Sequence, residues 1–399
     1  MTTMSDRSIN VTNRPTREQL ERIYDVLDEC FTVGKAFFQA RLDHDHAYDP
    51  DTTWFATVDG EIAANVQIFP LSIRVGQSVL MAGCMGSVGT GPQYRGMGLA
   101  HRILQAQTEY MKETDYDISL LLASKHAFYE KAGWRLIPET VYSIEKPASR
   151  ELPSEYDIIP FEPRYIDDLR AIYEQFNRNR TYTVVRDAAY WNDLIHWPEW
   201  NKLDCLLLLR NGRVVAYGMI ERKDTEQVFI SELLYLDEAE DGVEPLFYAL
   251  CRLRPNAKQI LAMLPEDHKL YTYYQQHQAQ SMQNQMAMWK MINLRSSFRK
   301  LRPELEQRLQ ASESIAGQQL HVEIQCGEDQ VYLDYAEKRL SVSDAPQSQD
   351  YEPIVVDERE LMTAILFGYQ ADDATKDHSR ILQALFPKQQ AVFYLSDRF

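Results

Sequence analysis

The hydrophobic and polar positions around residue 100 predict a strand, a glycine-containing loop and an amphipathic helix in direct succession. Residues 84–90 can form the strand. After a loop that contains Gln93, Gly96 and Gly98, apolar residues recur at steps of three and four positions, which is the period of an α-helix. The apolar helix face consists of Leu99, Ile103, Ala106 and Tyr110.

The flanking pattern extends this segment into one unit rich in strands and helices, which we place at residues 1–150. Its first 14 residues are polar, and we expect them to be loose. Two prolines suggest a linker near residues 147–153. The other predicted elements are a helix over 16–30 capped by Thr16, tight turns at Asp59-Gly60 and Gly76-Gln77, a strand over 120–123 and a closing strand over 141–144.

A weaker pattern repeats this order over residues 151–293, which predicts a duplicated unit. Strands are expected over 205–209, 214–220, 232–236 and 260–264, with a turn at Asn211-Gly212 and helices over 166–176 and 245–253. The loop at the position of the glycine segment is acidic over residues 237–242, and its carboxylates would repel a phosphate. We therefore expect the second unit to have lost any anion site.

The pattern changes again after residue 293, and we expect a third, α+β unit at residues 294–399. The predicted elements are a helix over 303–309, short strands over 320–324, 331–335 and 339–342, a helix through Phe367 capped by Asp357 with Glu360, and an apolar strand over 391–395.

Composition narrows the function. A chain of 399 residues with 45% hydrophobic residues can form two or three globular domains. The formal net charge of −17 argues against nucleic acid as a main partner. No apolar run approaches a membrane span, and the N-terminus lacks a secretory pattern. The five cysteines have no C-x-x-C spacing, which indicates free thiols and a cytoplasmic protein.

The glycine segment offers the clearest chemistry. A glycine-rich loop that opens a helix presents unpaired backbone N–H groups to an anion, and the helix dipole favours negative charge there. Gly98 is followed by Leu99-Ala100, so the Walker pattern is absent. His101 stands where the dinucleotide fingerprint needs a small residue, so that pattern fails too.

The remaining Q-x-x-G-x-G loop resembles the pyrophosphate loop of GCN5-related N-acetyltransferases (GNAT). Phe128 to Trp134 resembles that family's F-Y-x-x-x-G-[FWY] segment. The order of the three units resembles the enhanced intracellular survival (Eis) type. This resemblance implies an α/β and α+β fold class: an active GNAT domain that binds acetyl-CoA, a degenerate GNAT domain, and a sterol-carrier-protein-like domain that carries the catalytic C-terminus.

The resemblance also implies roles for individual residues. Tyr129 would protonate the departing thiolate, and the terminal carboxylate of Phe399 would accept the amine proton. His126 is a rival base. Val88 and Thr90 would hold the pantetheine arm, and the loop would hold the pyrophosphate with charge from Arg95. The residues expected to contact acetyl-CoA are Val88, Gly89, Thr90, Gln93, Tyr94, Arg95, Gly96, Met97, Gly98, Leu99 and Ser124.

Family members accept cationic amines such as aminoglycosides, so we expect an acidic acceptor cleft. Candidates near its mouth are Asp25, Asp28, Glu29 and Asp397, with Phe37 as a wall; each carboxylate could equally be a solvated surface charge. The resemblance suggests a hexamer. We find no clustered metal-ligand set in the sequence and expect no metal. Two other functions remain open: a lipid or sterol carrier, and an acetyl-CoA-binding regulator without turnover.

Overall fold

The computed structural model describes residues 7–148, 155–369 and 378–399. Much of the predicted linker over 147–153 therefore lies outside the described residues. The strands are β1 (Ile9–Asn13), β2 (Thr53–Val58), β3 (Glu61–Val75), β4 (Ser78–Thr90), β5 (Ile118–Leu122), β6 (Arg135–Leu136), β7 (Glu139–Glu145), β8 (Tyr156–Pro160), β9 (Thr181–Val184), β10 (Leu203–Arg210), β11 (Arg213–Glu221), β12 (Gln227–Tyr235), β13 (Gln259–Ala262), β14 (Gln280–Asn284), β15 (Ala287–Met291), β16 (Leu320–Cys326), β17 (Asp329–Ala336), β18 (Arg339–Ser343) and β19 (Glu352–Val356).

The helices connect and cover three sheets. They are α1 (Arg17–Cys30), α2 (Lys35–Asp43), α3 (Leu99–Glu113), α4 (His126–Glu130), α5 (Ile166–Asn177), α6 (Ala188–Leu194), α7 (Val243–Arg252), α8 (Lys269–Gln276), α9 (Leu294–Ala311), α10 (Glu358–Phe367) and α11 (Ser379–Leu385). Within the described residues, no helix has both the length and the apolar character needed to cross a membrane.

The first sheet has the order β1-β2-β3-β4-β5-β15-β6, with β9 paired to β3. The predicted tight turns are confirmed, since Val58 pairs with Glu61 and Val75 pairs with Ser78. The cap of α1 is also confirmed: Thr16 accepts a hydrogen bond from the amide of Gln19. The expectation of a loose N-terminal segment is wrong for residues 9–13, which form β1 and pair with β2 at the sheet edge.

The first and second sheets exchange strands. Strand β7, which we expected to close the first sheet, pairs instead with β13 and β14 in the second sheet. Strand β15 fills the vacated place and pairs with β5 and β6. The local apolar pattern predicted β7 as a strand, but it carries no information about the sheet edge that the strand joins. The exchange ties the first two units together.

The second sheet has the order β14-β7-β13-β12-β11-β10-β8 and repeats the central arrangement of the first. In the first sheet, the parallel strands β4 and β5 flank α3 in sequence. In the second, the parallel strands β12 and β13 flank α7 in the same way. A strand–helix–strand connection between parallel strands is thus present in both units.

The third sheet has the order β18-β17-β16-β19, and α9 packs on β17, β18 and β4. The prediction that a helix begins at residue 303 is wrong, because α9 begins at Leu294 and contains Pro303. Asn293 explains the earlier start, since its side chain accepts a hydrogen bond from the amide of Ser296. The predicted cap at Asp357 is confirmed by its bond from the Glu360 amide.

One apolar core joins the three units and includes Ile73, Leu207 and Leu305 from the first, second and third unit. The C-terminal segment runs along this core. The strand predicted over residues 391–395 is wrong: only Ala391 forms a bridge, to Thr181, and the chain then proceeds without a ladder to a short 3-10 turn at Leu395–Asp397. Its apolar side chains are buried among rings rather than along a sheet.

Candidate active site

Strands β4 and β5 separate in the middle of the first sheet. They pair from Ala82 with Ile118 to Met85 with Leu121, and β4 then continues along β3 alone to Thr90. The separation coincides with an irregularity in the β3–β4 register opposite Asn65. A bulge of this kind bends one strand away from its neighbour. The sheet therefore opens on the side of β5 just after Met85.

Ser87 marks the bend with a positive φ of 50°, which is uncommon for a residue other than glycine. The side chain of Asn65 stabilises this conformation, because its Nδ2 donates to the carbonyl of Ser87 at 3.1 Å. Gly86 precedes it and permits close packing: a Cβ there would lie 2.8 Å from the ring of Phe69 and 3.4 Å from the ring of Phe399.

The glycine loop lies between the end of β4 and the start of α3. Gly96 and Gly98 have φ values of 83° and 72°, and a Cβ added at either would meet nothing within 4 Å. Among the described residues, the amides of Gly96, Met97 and Gly98 have no hydrogen-bond partner. Together with the N-terminus of α3, these amides form an open cradle that can hold a phosphate.

Arg95 stands beside this cradle and is exposed. Its Nε donates to the carbonyl of Thr90 at 3.3 Å, which fixes the guanidinium near the end of β4. The remaining predicted cofactor residues lie in β4 and the loop, except for two. Leu99 is the buried first residue of α3, and Ser124 is an exposed residue between β5 and α4.

Tyr129 lies on α4, the short helix that follows β5. Its ring packs edge-on against Phe128, with ring centroids 4.9 Å apart. Within the described part of the chain, its hydroxyl has no hydrogen-bond partner. Burial raises the pKa of Tyr129 above the ordinary phenol value, so the hydroxyl keeps its proton at neutral pH. The phenol is therefore available as a proton donor on the β5 side of the opening.

The C-terminus reaches the bend in β4 because a buried ion pair holds it. Asp397 accepts hydrogen bonds from Arg186 Nε and Nη2, both at 2.8 Å, and from the Tyr190 hydroxyl at 2.8 Å. Arg186 also binds Glu232, which accepts a further bond from Ser396. The side chains of the two acids and the arginine are fully buried.

This network corrects the prediction for Asp397. We expected a carboxylate at the mouth of the acceptor cleft, but both of its oxygens are bound inside the protein. Burial alone would lower the pKa of the Arg186 guanidinium, yet Asp397 and Glu232 raise it well above its ordinary value. Arg186 therefore stays charged, and the function of Asp397 is to anchor the last residues of the chain.

Phe399 extends from this anchor to the bend in β4. Its ring centroid lies 6.0 Å from that of Phe69. Its terminal carboxylate has no hydrogen-bond or ion-pair partner among the described residues. Phe399 lines a cavity of about 30 Å³, together with Ser87 and residues of α1 and α2. The aromatic side chains around it belong to Tyr24, Phe37, Phe38, Phe69 and Phe399.

Of the residues predicted for the acceptor cleft, Phe37 lines this cavity, and the acidic candidates do not. Asp25 forms an ion pair with Lys35 at 2.7 Å. Asp28 and Glu29 are exposed on α1. The rival base His126 is already engaged, because its Nε2 lies 2.7 Å from the carbonyl oxygen of Gln285.

Sequence reasoning missed three polar residues that line the same cavity: Arg41, Asn65 and Glu199. Arg41 pairs with Asp45 at 2.7 Å and stacks over Trp197 at 3.6 Å from the ring centroid. Glu199 belongs to the second unit and reaches the site only through packing of the units. No local motif surrounds it, so no signal in the sequence distinguishes it from a surface glutamate.

The corresponding opening in the second unit is closed by a side chain. Strands β12 and β13 stop pairing after Ile230 and Ala262, but the ring of His268 lies against the continuing strand. Its Nε2 is 2.6 Å from the carbonyl oxygen of Leu233, and its Nδ1 accepts from the amide of Leu270 at 2.9 Å. Burial lowers the pKa of His268 to about 4, so the ring is neutral and Nε2 donates.

One group of potential metal ligands is present although we expected none. Asp45, His46 and Asp193 place one ligand atom each within 4.8 Å of one another. Protein partners already occupy these atoms: Arg41 binds Asp45, and His46 binds Asp193 through its ring and its amide. The group is brought together by contact between the first and second units, which the sequence could not reveal.

Residues 12–137 match the family model of the acetyltransferase (GNAT) domain. The match covers α1 to β6 and includes the opening, the glycine loop and Tyr129. No curated protein matches the sequence significantly. The GNAT match makes an acyltransferase the supported assignment for this chain.

Solved structures of low sequence identity share the fold over nearly the whole chain. A protein of unknown function from Enterococcus faecalis, described as a probable N-acyltransferase, has a TM-score of 0.75 at 14% identity, and the match covers 98% of this chain and 100% of that one. A GCN5-related N-acetyltransferase from Anabaena variabilis has a TM-score of 0.72 at 16% identity, and the match covers the same shares of both chains. Eis1 from Mycobacterium abscessus has a TM-score of 0.66 at 15% identity, and the match again covers 98% of this chain and 100% of that one. The fold of nearly the whole chain is thus shared with these proteins.

The anchor predicts a large effect of Asp397→Asn. Glu232 still balances the Arg186 charge in this variant, but the charge-assisted hydrogen bonds from Arg186 and Tyr190 to Asp397 are lost or weakened inside the protein, so we expect the free energy of unfolding to fall by about 3 kcal/mol. Urea denaturation measures this loss, and carboxypeptidase should release Phe399 faster from the variant. Asp344→Asn is the control, because its pair with Arg299 is exposed and should contribute less than about 1 kcal/mol. Equal losses in both variants would contradict the anchoring role.

Proposed function

We propose that this protein transfers an acetyl group from acetyl-CoA to a primary amine of a cationic small molecule. The observation that carries the proposal is the position of Phe399. The buried ion pair of Asp397, two residues earlier in the chain, holds Phe399 beside the opening between β4 and β5. Tyr129 lies on the helix that follows the other strand of that opening. A proton acceptor and a proton donor therefore flank one gap in the sheet.

The residues of the glycine loop fit a pyrophosphate. Three consecutive amides without partners, two glycines without neighbours within 4 Å and the start of α3 supply donors and room for close approach. Arg95 adds a positive charge beside them. From Val88 to Thr90, β4 has no partner on the side of β5, and this edge is available for the pantetheine arm. When bound, acetyl-CoA supplies an acetyl group activated as a thioester.

Three proton transfers complete the reaction. The Phe399 carboxylate removes a proton from the ammonium form of the acceptor, which frees the nitrogen lone pair for attack by direct transfer in a ternary complex. Tyr129 donates its phenolic proton to the sulfur that leaves. A phenol pKa near or above about 10 lies close enough to the thiol value of about 8.5 for this transfer. The nitrogen loses its second proton once the N–C bond has formed, and that proton restores the Tyr129 phenol.

The resemblance to Eis-type enzymes supports further expectations. We propose that the second unit is a GNAT copy that binds no cofactor, since His268 occupies its strand edge and carboxylates fill its loop. The sterol-carrier likeness of the third unit, the hexamer and the aminoglycoside-like acceptor remain predictions. If the intact protein releases no thiol with any amine, the two alternative functions are favoured: a lipid or sterol carrier, or an acetyl-CoA-binding regulator without turnover.

The glycine loop gives a matched pair of variants. Gly98→Ala should raise the Kd for acetyl-CoA at least roughly tenfold, because a methyl group blocks the approach of a phosphate to charge-assisted amide donors. Gly317→Ala is the control: its φ of 73° and its empty surroundings equal those of Gly98, but it lies in the third unit. Isothermal titration calorimetry measures both. The same Kd in both variants would place the pyrophosphate elsewhere.

Replacement of Tyr129 tests the proton donor. Tyr129→Phe should lower kcat by about 100-fold or more, with little change in the KM for acetyl-CoA. Because the pKa of Tyr129 is raised above 10.0, the wild-type rate should show no loss at alkaline pH below 10. Thiol release over pH 6–10 provides both quantities. Tyr165→Phe, a half-buried tyrosine of the second unit, is the control and should be as active as wild type.

Extension of the chain by one glycine after Phe399 tests the base. The carboxylate then moves by up to about 3.5 Å, while every side chain is retained. We expect most of the turnover to be lost and acetyl-CoA binding to be unchanged, as measured by thiol release and calorimetry. Full activity of the extended chain would show that another group accepts the proton.

A further inference from the structure

The cavity beside Phe399 is small and closely surrounded by aromatic rings. Its volume of about 30 Å³ corresponds to the space of two or three water molecules. Helices α1 and α2 form one wall, and Glu199 and Phe399 arrive from the second and third units. Because Phe399 lines this space, an acceptor amine that enters it comes close to the last residue of the chain. The following inference therefore rests on the proposed function and concerns the class of amine.

Three polar atoms at this cavity are buried and have no hydrogen-bond partner in the described part of the chain. They are Nε of Arg41, Oδ1 of Asn65 and Oε2 of Glu199. By contrast, Thr53 and Gln67, which also line the cavity, are hydrogen-bonded to each other: the Thr53 hydroxyl donates to the Gln67 side-chain oxygen at 2.7 Å. A buried polar group without a partner costs free energy, so the three atoms indicate missing contacts from a ligand or water.

The three atoms differ in what they require. Glu199 and Asn65 offer oxygen atoms, and Glu199 adds a negative charge, so an ammonium group is the complementary donor. Arg41 offers an N–H and needs an acceptor. Its charge is already balanced by Asp45 at 2.7 Å, and the anionic residue Glu199 lines the same space. An anionic acceptor would therefore be repelled, whereas a neutral hydroxyl or amide oxygen would fit.

The size of the cavity restricts the carbon skeleton. Space for two or three water molecules admits about as many non-hydrogen atoms. An aminomethyl group with one neighbouring heteroatom fits this space, whereas an amino group on a ring carbon brings two branches into it. Cores are as densely packed as organic crystals, so such branches would have to displace Phe37 or Phe38. The bulky acceptors expected from the resemblance do not match this shape.

We infer that the acceptor is a slender primary amine, with its amino group on an unbranched methylene and a neutral oxygen close by, and that Glu199 binds its ammonium group. Amino alcohols and amino acid amides have this chemistry. In the reaction, the new N–C bond forms as the thioester C–S bond breaks. One ammonium proton passes to the Phe399 carboxylate, and the leaving sulfur takes the Tyr129 proton. The second nitrogen proton, released once the N–C bond has formed, restores the Tyr129 phenol. Glu199 remains an anion and determines specificity.

A substrate panel tests the shape. Thiol release is measured with glycinamide, 2-aminoethanol, n-propylamine and 2-deoxystreptamine, whose amines all lie on ring carbons. We expect kcat/KM to be highest for the first two, lower for n-propylamine, and at least tenfold lower for 2-deoxystreptamine. Equal or greater activity with 2-deoxystreptamine overturns the inference but leaves amine acetylation intact. No thiol release with any amine overturns the proposed function itself.

Glu199→Gln tests the ammonium partner and retains the shape of the side chain. We expect the KM for glycinamide to rise roughly ten- to a hundredfold, because a charge-assisted hydrogen bond is lost, while the KM for acetyl-CoA changes less than twofold. Glycinamide alone should raise the Tm of the wild type and not that of the variant. Glu313→Gln, an exposed glutamate of the third unit, is the control. An unchanged KM for glycinamide in Glu199→Gln overturns the inference.

Discussion

The buried pair of Arg186 and Asp397 is the interaction on which the proposed active site depends. It joins a residue of the second unit to the third-last residue of the chain, and Glu232 and Ser396 complete it. Charges so deeply buried are tolerated only when they are paired and hydrogen-bonded. Because Asp397 is fixed by this pair, the two residues after it, Arg398 and Phe399, have few possible positions. Phe399 consequently lies at the bend in β4.

The bend in β4 at Ser87 results from a local backbone conformation that side chains packed around it stabilise. Ser87 has a positive φ, Asn65 binds its carbonyl, and Gly86 leaves room for the rings of Phe69 and Phe399. The exchange of β7 and β15 between the sheets fixes the second unit against the first. A base delivered from a distant part of the chain needs such rigid connections, because catalysis requires placement to within less than about 1 Å.

The two related units show how similar topology supports different functions. In the first, β4 diverges from β5 and meets a glycine loop whose amides are unpaired. In the second, β12 diverges from β13 in the same way, but His268 donates to the strand and an acidic turn replaces the loop. The second unit instead contributes Arg186 to the anchor and Glu199 to the cavity beside Phe399, so it forms part of the proposed site.

The sequence by itself determined the local elements: the capped helix α1, the hairpin turns and the glycine loop before α3. Each depends on residues a few positions apart, so propensity and spacing suffice. The partner sheet of β7, the buried state of Asp397 and the contribution of Glu199 were decided by tertiary structure alone. These features depend on residues far apart in the chain, whose burial and pairing follow from how whole units pack.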